Sequence, residues 1–296
     1  MGLDKAEALK QIDPDRHVVI AGPTASGKSA LALAIAEAQG GTIVNADAMQ
    51  IWSCWQVLTA RPDAEDEAAA PHALYGHVDP GQSYSVGDWL REIAALEGRM
   101  IIVGGTGLYL TALTQGLAHI PPVPPEIRAR GDDWLAQGGL ADMVAALDAP
   151  TRAKIDVNNP ARVQRAWEVL TATGRGIADW QKDTPPPLLS RDAAQRVVLV
   201  SDKDWLSGRI KRRFQKMWSG GAVEEVEAML PDWDDRAQWT QAIGAAEIAA
   251  CLRGEIDSET AGKRAIIATR QYAKTQRIWF RGKMKDWDRL HCGPAG

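Results

Sequence analysis

The residues Gly22-Pro23-Thr24-Ala25-Ser26-Gly27-Lys28-Ser29 fit the spacing GxxxxGK(S/T). That spacing wraps the backbone so that successive N–H groups point inward, sets Lys28 against phosphate charge and leaves the Ser29 hydroxyl for Mg²⁺. A diphosphate or triphosphate suits such a nest, with Lys28 expected as an exposed loop residue that meets only ligand. The loop names a ligand group and no reaction, because phosphoryl-transfer enzymes, switches and other transferases share the cradle. A second segment, Asn45-Ala46-Asp47-Ala48-Met49-Gln50, sets Asp47 just past an apolar run, where open α/β sheets bind ligands. A carboxylate there either organises Mg²⁺ through water or accepts a proton from a nucleophile; it can also simply cap the next helix. In Gly104-Gly105-Thr106-Gly107-Leu108-Tyr109 the glycines permit close approach of a ligand to the same edge, or serve only as a turn.

Positioning these loops requires a sheet. Short β-branched runs at His17 to Ala21, Thr42 to Asn45, Met100 to Val103 and Arg196 to Val200 read as buried parallel strands. Alanine-rich helical patterns such as Ala30 to Ala38 and Val86 to Leu96 lie between them. The alternation predicts an α/β fold, a P-loop-type parallel sheet flanked by helices. The fourth run arrives almost a hundred residues after the third, and prolines at Ile120 to Pro125 and Thr184 to Pro187 bracket the interval. Helices over Glu126 to Gln137, Leu140 to Asp148 and Ala161 to Thr171 fill it. The expected organisation is a core of residues 1–120 and 188–296 with an inserted small helical domain at 121–187. After the fourth strand, Leu206, Ile210, Phe214 and Met217 form one apolar stripe, with Arg209, Arg212, Arg213 and Lys216 on the remainder. A last helix, Thr260 to Arg281, carries Arg270, Lys274, Arg277 and Arg281 on one basic face, which is either a polyanion contact or a solvated surface.

Composition narrows the class. The 296 residues, 45% hydrophobic and 24% charged, exclude a disordered chain and a disulfide-dense miniprotein. Cys54, Cys251 and Cys292 have no metal or redox spacing and read as packing thiols of a reducing compartment. His72 and His77 lack a partner at metal-ligand spacing and read as structural. The first seventeen residues contain no apolar stretch, and Gly2 is followed by Ala6 where a myristoylation signal wants Ser or Thr. The expectation is a cytoplasmic protein without a membrane span or lipid anchor. Net charge is −4 overall, but −7 over residues 1–120, −1 over 121–195 and +4 over 196–296. A polyanion would meet mainly the C-terminal third.

The set GPTASGKS, NADAMQIW, Thr59-Ala60-Arg61-Pro62, Ala70-Pro71-His72, VGGTGLYL and TRQYAKTQRIWFR, in this order from about Val18 to Arg281, resembles the tRNA dimethylallyltransferases, also called tRNA isopentenyltransferases. The resemblance implies transfer of a dimethylallyl group from dimethylallyl diphosphate to N6 of the adenosine 3′ of the anticodon, in tRNAs reading codons that begin with U. No ATP would be consumed. It implies that Gly22 to Ser29, Thr24 to Ser29 above all, hold the diphosphate, with Arg213 facing it, Mg²⁺ on Ser29, and Lys28 easing departure of the leaving group. Asp47 would accept the proton of the attacking amine, and Asp47, Ala48, Met49 and Gln50 would grip a flipped adenine. Thr106 and Arg128 match positions at the tRNA and reaction channel. Ala161, Arg162, Val163, Gln164 and Arg165, with Gln241, Ala242, Ile243, Gly244, Ala245 and Ala246, match segments that touch tRNA. The insertion would then clamp the anticodon stem-loop. The family commonly has Ser at Ala48, Tyr at Trp52 and an aromatic-basic pair at Ala245-Ala246, departures that bear on the adenine grip. Gln271 and Thr275 replace basic residues usual in the last helix, which softens the expected salt dependence of tRNA binding.

Three functions compete on the residues alone: prenyl transfer to tRNA, ATP-dependent phosphorylation of a small molecule, and a nucleotide-gated RNA-binding switch. The kinase leaves the insertion and the basic helix unemployed, and the switch gives Asp47 no task. With no coiled-coil or edge-strand signal, the expected state is a monomer.

Overall fold

The computed structural model describes residues 5–293; Gly2 lies outside them. The chain forms two units, one made by the segments up to Thr114 and from Leu188 onward, the other by Gln115–Pro187.

In the first unit, β1 (His17–Ala21), β2 (Thr42–Asn45), β3 (His72–Ala73), β4 (Met100–Gly104), β5 (Ala194–Ser201) and β6 (Asp288–Cys292) lie side by side as β3-β2-β4-β1-β5-β6. Every pairing is parallel. Alternate residues of each strand point to opposite faces, so both faces must be covered for such apolar strands to be stable. Val18 and Ile20 pack with Ile43, Ile101 and Val103 against Leu31 and Ile35. Val19, Val44, Ile102 and Val198 share the other core with Trp52, Trp55 and Trp89. The register pairs Ala21 with Gly104 and Asn45 with Val103, so the chain leaves β1, β2 and β4 at one common edge.

The helices of this unit before the insertion are α1 (Lys5–Lys10), α2 (Lys28–Gln39), α3 (Ala64–Ala69), α4 (Val86–Ala94) and α5 (Gly107–Gln115). In the insertion, α6 (Pro125–Ala136), α7 (Leu140–Ala146), α8 (Ala149–Lys154), α9 (Pro160–Thr173) and α10 (Ile177–Trp180) surround Met143, Leu147, Val163, Ala166 and Trp167. Asp148 and Asn159 cap α8 and α9 by accepting the backbone N–H groups of Thr151 and Arg162. The boundary falls at Gln115 rather than at residue 121. Gly116 lies so close to the returning chain that a Cβ there would sit 2.2 Å from the Pro185 carbonyl oxygen, and that contact ties the entry of the insertion to its exit. Beyond it follow α11 (Lys203–Met217), α12 (Val223–Met229), α13 (Ala245–Leu252) and α14 (Ser258–Lys283). The four expected strands are present, and the structure adds β3, only two residues long, and β6, an edge strand with three exposed positions.

Candidate active site

The loop after β1 carries left-handed backbone at Ala25 (φ +62°) and Gly27 (φ +101°), the alternation that turns neighbouring N–H groups into a concave anion nest. For Ala25 this conformation costs about 1 kcal/mol or more, so the surroundings must impose it. Arg209 does so: stacked on Trp205 with 4.8 Å between guanidinium carbon and ring centre, it donates from Nε to the Ala25 carbonyl at 2.7 Å. Ser26 is buried, and its Oγ meets no hydrogen-bond partner among the described residues. A buried hydroxyl without a partner is costly in apolar surroundings, and a ligand oxygen in the nest would satisfy it.

Lys28 departs from expectation. It is half-buried, and Nζ donates to the loop's own Pro23 carbonyl at 2.9 Å. Burial brings its ammonium down to about 8, an effect opposed by the Asp47 carboxylate and reinforced by the Arg213 cation. Burial likewise lowers Arg213. Arg213 spans two loops, with Nη2 donating to the Thr59 carbonyl at 3.0 Å and Nη1 to Thr24 Oγ1 at 3.5 Å.

Asp47, close enough to act on both Lys28 and Arg213, is on the loop after β2. Its N–H donates to Asn45 Oδ1 at 2.8 Å, while Asn45 Nδ2 donates back to the Asp47 carbonyl at 3.0 Å. The Trp89 indole, buried in the core, donates to the Asn45 carbonyl at 2.7 Å and so fixes the strand end. Asp47 Oδ1 accepts the Met49 N–H at 3.0 Å, which leaves one carboxylate oxygen unengaged by any donor among the described residues. Thr106, on the turn after β4, accepts the Ala48 N–H at Oγ1 at 2.9 Å. Gln50 reaches the other way, donating from Nε2 to the carbonyls of Thr59 and Ala60 at 2.9 and 3.0 Å.

These groups surround one cavity of about 290 Å³. Its polar wall contains Thr24, Asp47, Gln50, Thr106 and Arg213; its apolar wall contains Leu58, Ile210, Phe214, Met217 and Ile243. Ala25, Ala48, Met49, Gln241 and Ala242 complete the expected members that line it. Ile210, Phe214 and Met217, read from the sequence as a packing stripe, also form this wall. Leu58, Thr59, Thr269 and Tyr272 were not anticipated. Tyr272 lies four residues before Gln276 in the TRQYAKTQRIWFR segment, a helical spacing that the basic residues around it concealed.

Other expected residues are elsewhere. Ser29 is exposed on the first turn of α2. One hydroxyl there is a fitting Mg²⁺ ligand, because this cation normally takes its remaining ligands from substrate phosphates and water. Arg128, Ala161 and Arg162 are exposed in the insertion, on α6 and α9. Val163 is wholly buried in the insertion's core and Ala245 in the first unit's, so neither side chain can touch RNA. Gln164 spends its amide on Asp132 and Glu168 at 2.6 and 3.1 Å, and Arg165 pairs with Glu168 at 3.4 Å. Gly244 is buried, whereas Ala246 is exposed. Trp52 is 1% exposed and does not line the cavity, so its replacement of Tyr alters core packing rather than an adenine grip.

The family model described as IPP transferase matches residues 50–283. A tRNA dimethylallyltransferase of Paracoccus denitrificans is 64% identical, with 96% of this chain and 97% of that protein covered. Among solved structures, a tRNA isopentenylpyrophosphate transferase of Bacillus halodurans superposes with a TM-score of 0.65 at 29% identity, covering 94% of this chain and 90% of that one. A eukaryotic dimethylallyltransferase acting on tRNA shares the fold, with a TM-score of 0.75 at 24% identity over 93% and 73% of the two chains. The family match over residues 50–283 and the 64% identity to the Paracoccus denitrificans protein place this chain, with its backbone nest, carboxylate and apolar wall, in the IPP transferase family, the tRNA dimethylallyltransferases.

Proposed function

We propose that this chain transfers the dimethylallyl group of dimethylallyl diphosphate to N6 of the adenosine 3′ of the anticodon, in tRNAs reading codons that begin with U. The observation that supports it is the composition of the cavity: Thr24 and Arg213, in contact with each other, share one lining with Asp47, Thr106 and the apolar side chains Leu58, Phe214 and Met217. A polar lining of this kind serves phosphoryl and prenyl transfer alike, and the apolar wall is the surface that a five-carbon chain needs.

In this reading the Gly22 to Ser29 loop, Arg213 and the Lys28 ammonium hold the diphosphate and stabilise it as it leaves. Mg²⁺, held by Ser29, would neutralise further charge on the diphosphate. The N6 lone pair forms a bond to C1 of the prenyl group as the C1–O bond breaks, and the electron pair departs on the diphosphate. The adenine amine is a poor nucleophile because its lone pair is delocalised into the ring, and Asp47 takes its proton as the new bond forms. In the same reading Gln50, Met49 and Ala48, which line the cavity, grip the flipped adenine. Arg128, Ala161, Arg162, Gln241 and Ala246 are the assigned tRNA contacts that remain open to solvent, and the insertion is the anticodon stem-loop clamp. No helix among the described residues is long and apolar enough to cross a membrane. A monomer in the cytoplasm, where tRNA is available, completes the reading.

The test is an incubation with unmodified tRNA, Mg²⁺ and either labelled dimethylallyl diphosphate or γ-labelled ATP, followed by nucleoside analysis. Prenyl label on adenosine is the expected result. Transfer of the ATP label to a small molecule, with no prenyl label on RNA, would replace this reading with the kinase.

A further inference from the structure

The hydrogen bonds around the cavity form two arcs. One runs from Gln50 through the Thr59 carbonyl and Arg213 to Thr24, and the other ties Thr106 to the Asp47 segment through the Ala48 N–H. The first arc carries the phosphate loop, and the second carries the carboxylate. One side chain of α14 joins them. Gln276 Oε1 accepts the Thr24 N–H at 2.8 Å, and its Nε2 donates to the Gly105 carbonyl at 3.0 Å.

A side-chain amide suits this place. Its two partners are a backbone donor and a backbone acceptor, so the joining group must accept on one atom and donate on the other. Gln276 is 5% exposed, so water cannot readily substitute for either bond. The close approach also explains the glycine opposite, since a Cβ on Gly105 would sit 2.2 Å from Nε2. Tyr272, one turn earlier on α14, lines the cavity and faces both Thr106 and Gln276, so the same helix face meets both loops.

We propose that Gln276 is a positioning residue that fixes the leaving-group loop relative to the Thr106 and Asp47 side of the cavity. The assignment rests on the prenyl-transfer reading. An in-line displacement needs the departing oxygen, C1 and the attacking nitrogen in line, and small misplacements are costly: about 1 Å is worth about a hundredfold in rate. Gln276 supplies the alignment without touching the reacting atoms.

Two variants test this. Gln276→Met keeps the volume and removes both hydrogen bonds. It should fold, as judged by circular dichroism, and lose about 10- to 100-fold in kcat, with KM for tRNA and for dimethylallyl diphosphate changed only a few-fold. Gln276→Glu is isosteric but cannot donate to Gly105 when ionised; protonated, it again offers one donor and one acceptor. Its kcat relative to the parent should therefore rise as pH falls from about 8.5 to 5.5, because burial keeps such a carboxyl protonated to higher pH than usual. Asp47, Lys28, Arg213 and Tyr272 are common to parent and variant and cancel to first order in that ratio. Parental kcat in Gln276→Met, or a Gln276→Glu ratio independent of pH, would overturn the assignment while leaving an active parent's reaction intact. A parent that transfers no prenyl label would overturn the reaction and the assignment together.

Discussion

Lys28 offers a quantitative check on the donor site. Its ammonium titrates at about 8, so about nine in ten free molecules carry the charge at pH 7 and about one in ten at pH 9. A prenyl diphosphate placed in the loop brings several negative charges against it, which favours the protonated form. The bound protein therefore holds the proton to a higher pH than the free protein does. It follows that affinity is fully developed below about pH 8 and declines above it, by up to about tenfold per pH unit, until the bound form also loses its proton. Proton uptake on binding should peak above pH 8, midway between the titrations of the free and the bound lysine.

Calorimetric titration with dimethylallyl diphosphate in two buffers of different ionisation enthalpy measures that uptake directly. Lys28→Met preserves the stem and gives up only the bond to the Pro23 carbonyl. At pH 7 it should bind about 10- to 100-fold more weakly than the parent, the worth of a charge-assisted contact. The two affinities should converge above about pH 9.5, where the free parent's lysine is largely neutral. Because the ligand's own ionisation is common to both proteins, the difference isolates the lysine. Equal proton uptake in parent and variant, or affinities that stay parallel across the range, would refute the placement of Lys28 against the diphosphate.

Asp47→Asn should lower kcat by about 10² to 10⁴ with little change in affinity for prenyl diphosphate; weak diphosphate binding restored by excess Mg²⁺ would instead make Asp47 a metal support and discard the base. Glu225 accepts the backbone N–H groups of Gln56, Val57 and Leu58 at 2.9, 2.6 and 2.9 Å, so Glu225→Ala should cost at least about 2 kcal/mol in chemical denaturation, and an unchanged midpoint would contradict that accounting. Val163→Ala should destabilise the protein by about 1.5 to 3 kcal/mol through the cavity it opens, whereas Arg162→Ala on the same helix should leave the melting temperature alone and weaken tRNA binding.

What could be read in the sequence follows from how local each cause is. The shape of the Gly22 to Ser29 loop was legible because it depends on residues close together in the chain, Gly22 and Gly27 with Lys28 beside the second. Asp47 and Thr106 were legible for a related reason: each follows a β-branched run, and parallel strands put such positions at one edge. The strands β3 and β6 were not legible, since one has two residues and the other, Asp-Arg-Leu-His-Cys, shows the polar alternation of a sheet margin rather than a buried run. Lys28 read as an exposed residue because nothing near it in the chain announces Asp47 and Arg213, which reach it only through the fold. The stripe of α11 was legible as packing, and Leu206, Ile210 and Phe214 are buried, but its second role as cavity wall was not, because packing a helix and lining an apolar cavity use the same residue types. Gln276 was hidden for a third reason. It sits in a helix whose exposed positions are dominated by Arg270, Lys274 and Arg281, so sequence reading follows the charge, while the buried amide on another face has partners 171 and 252 residues away. The loops that carry the chemistry are specified locally, and their spacing relative to one another is specified by long-range contacts such as this one.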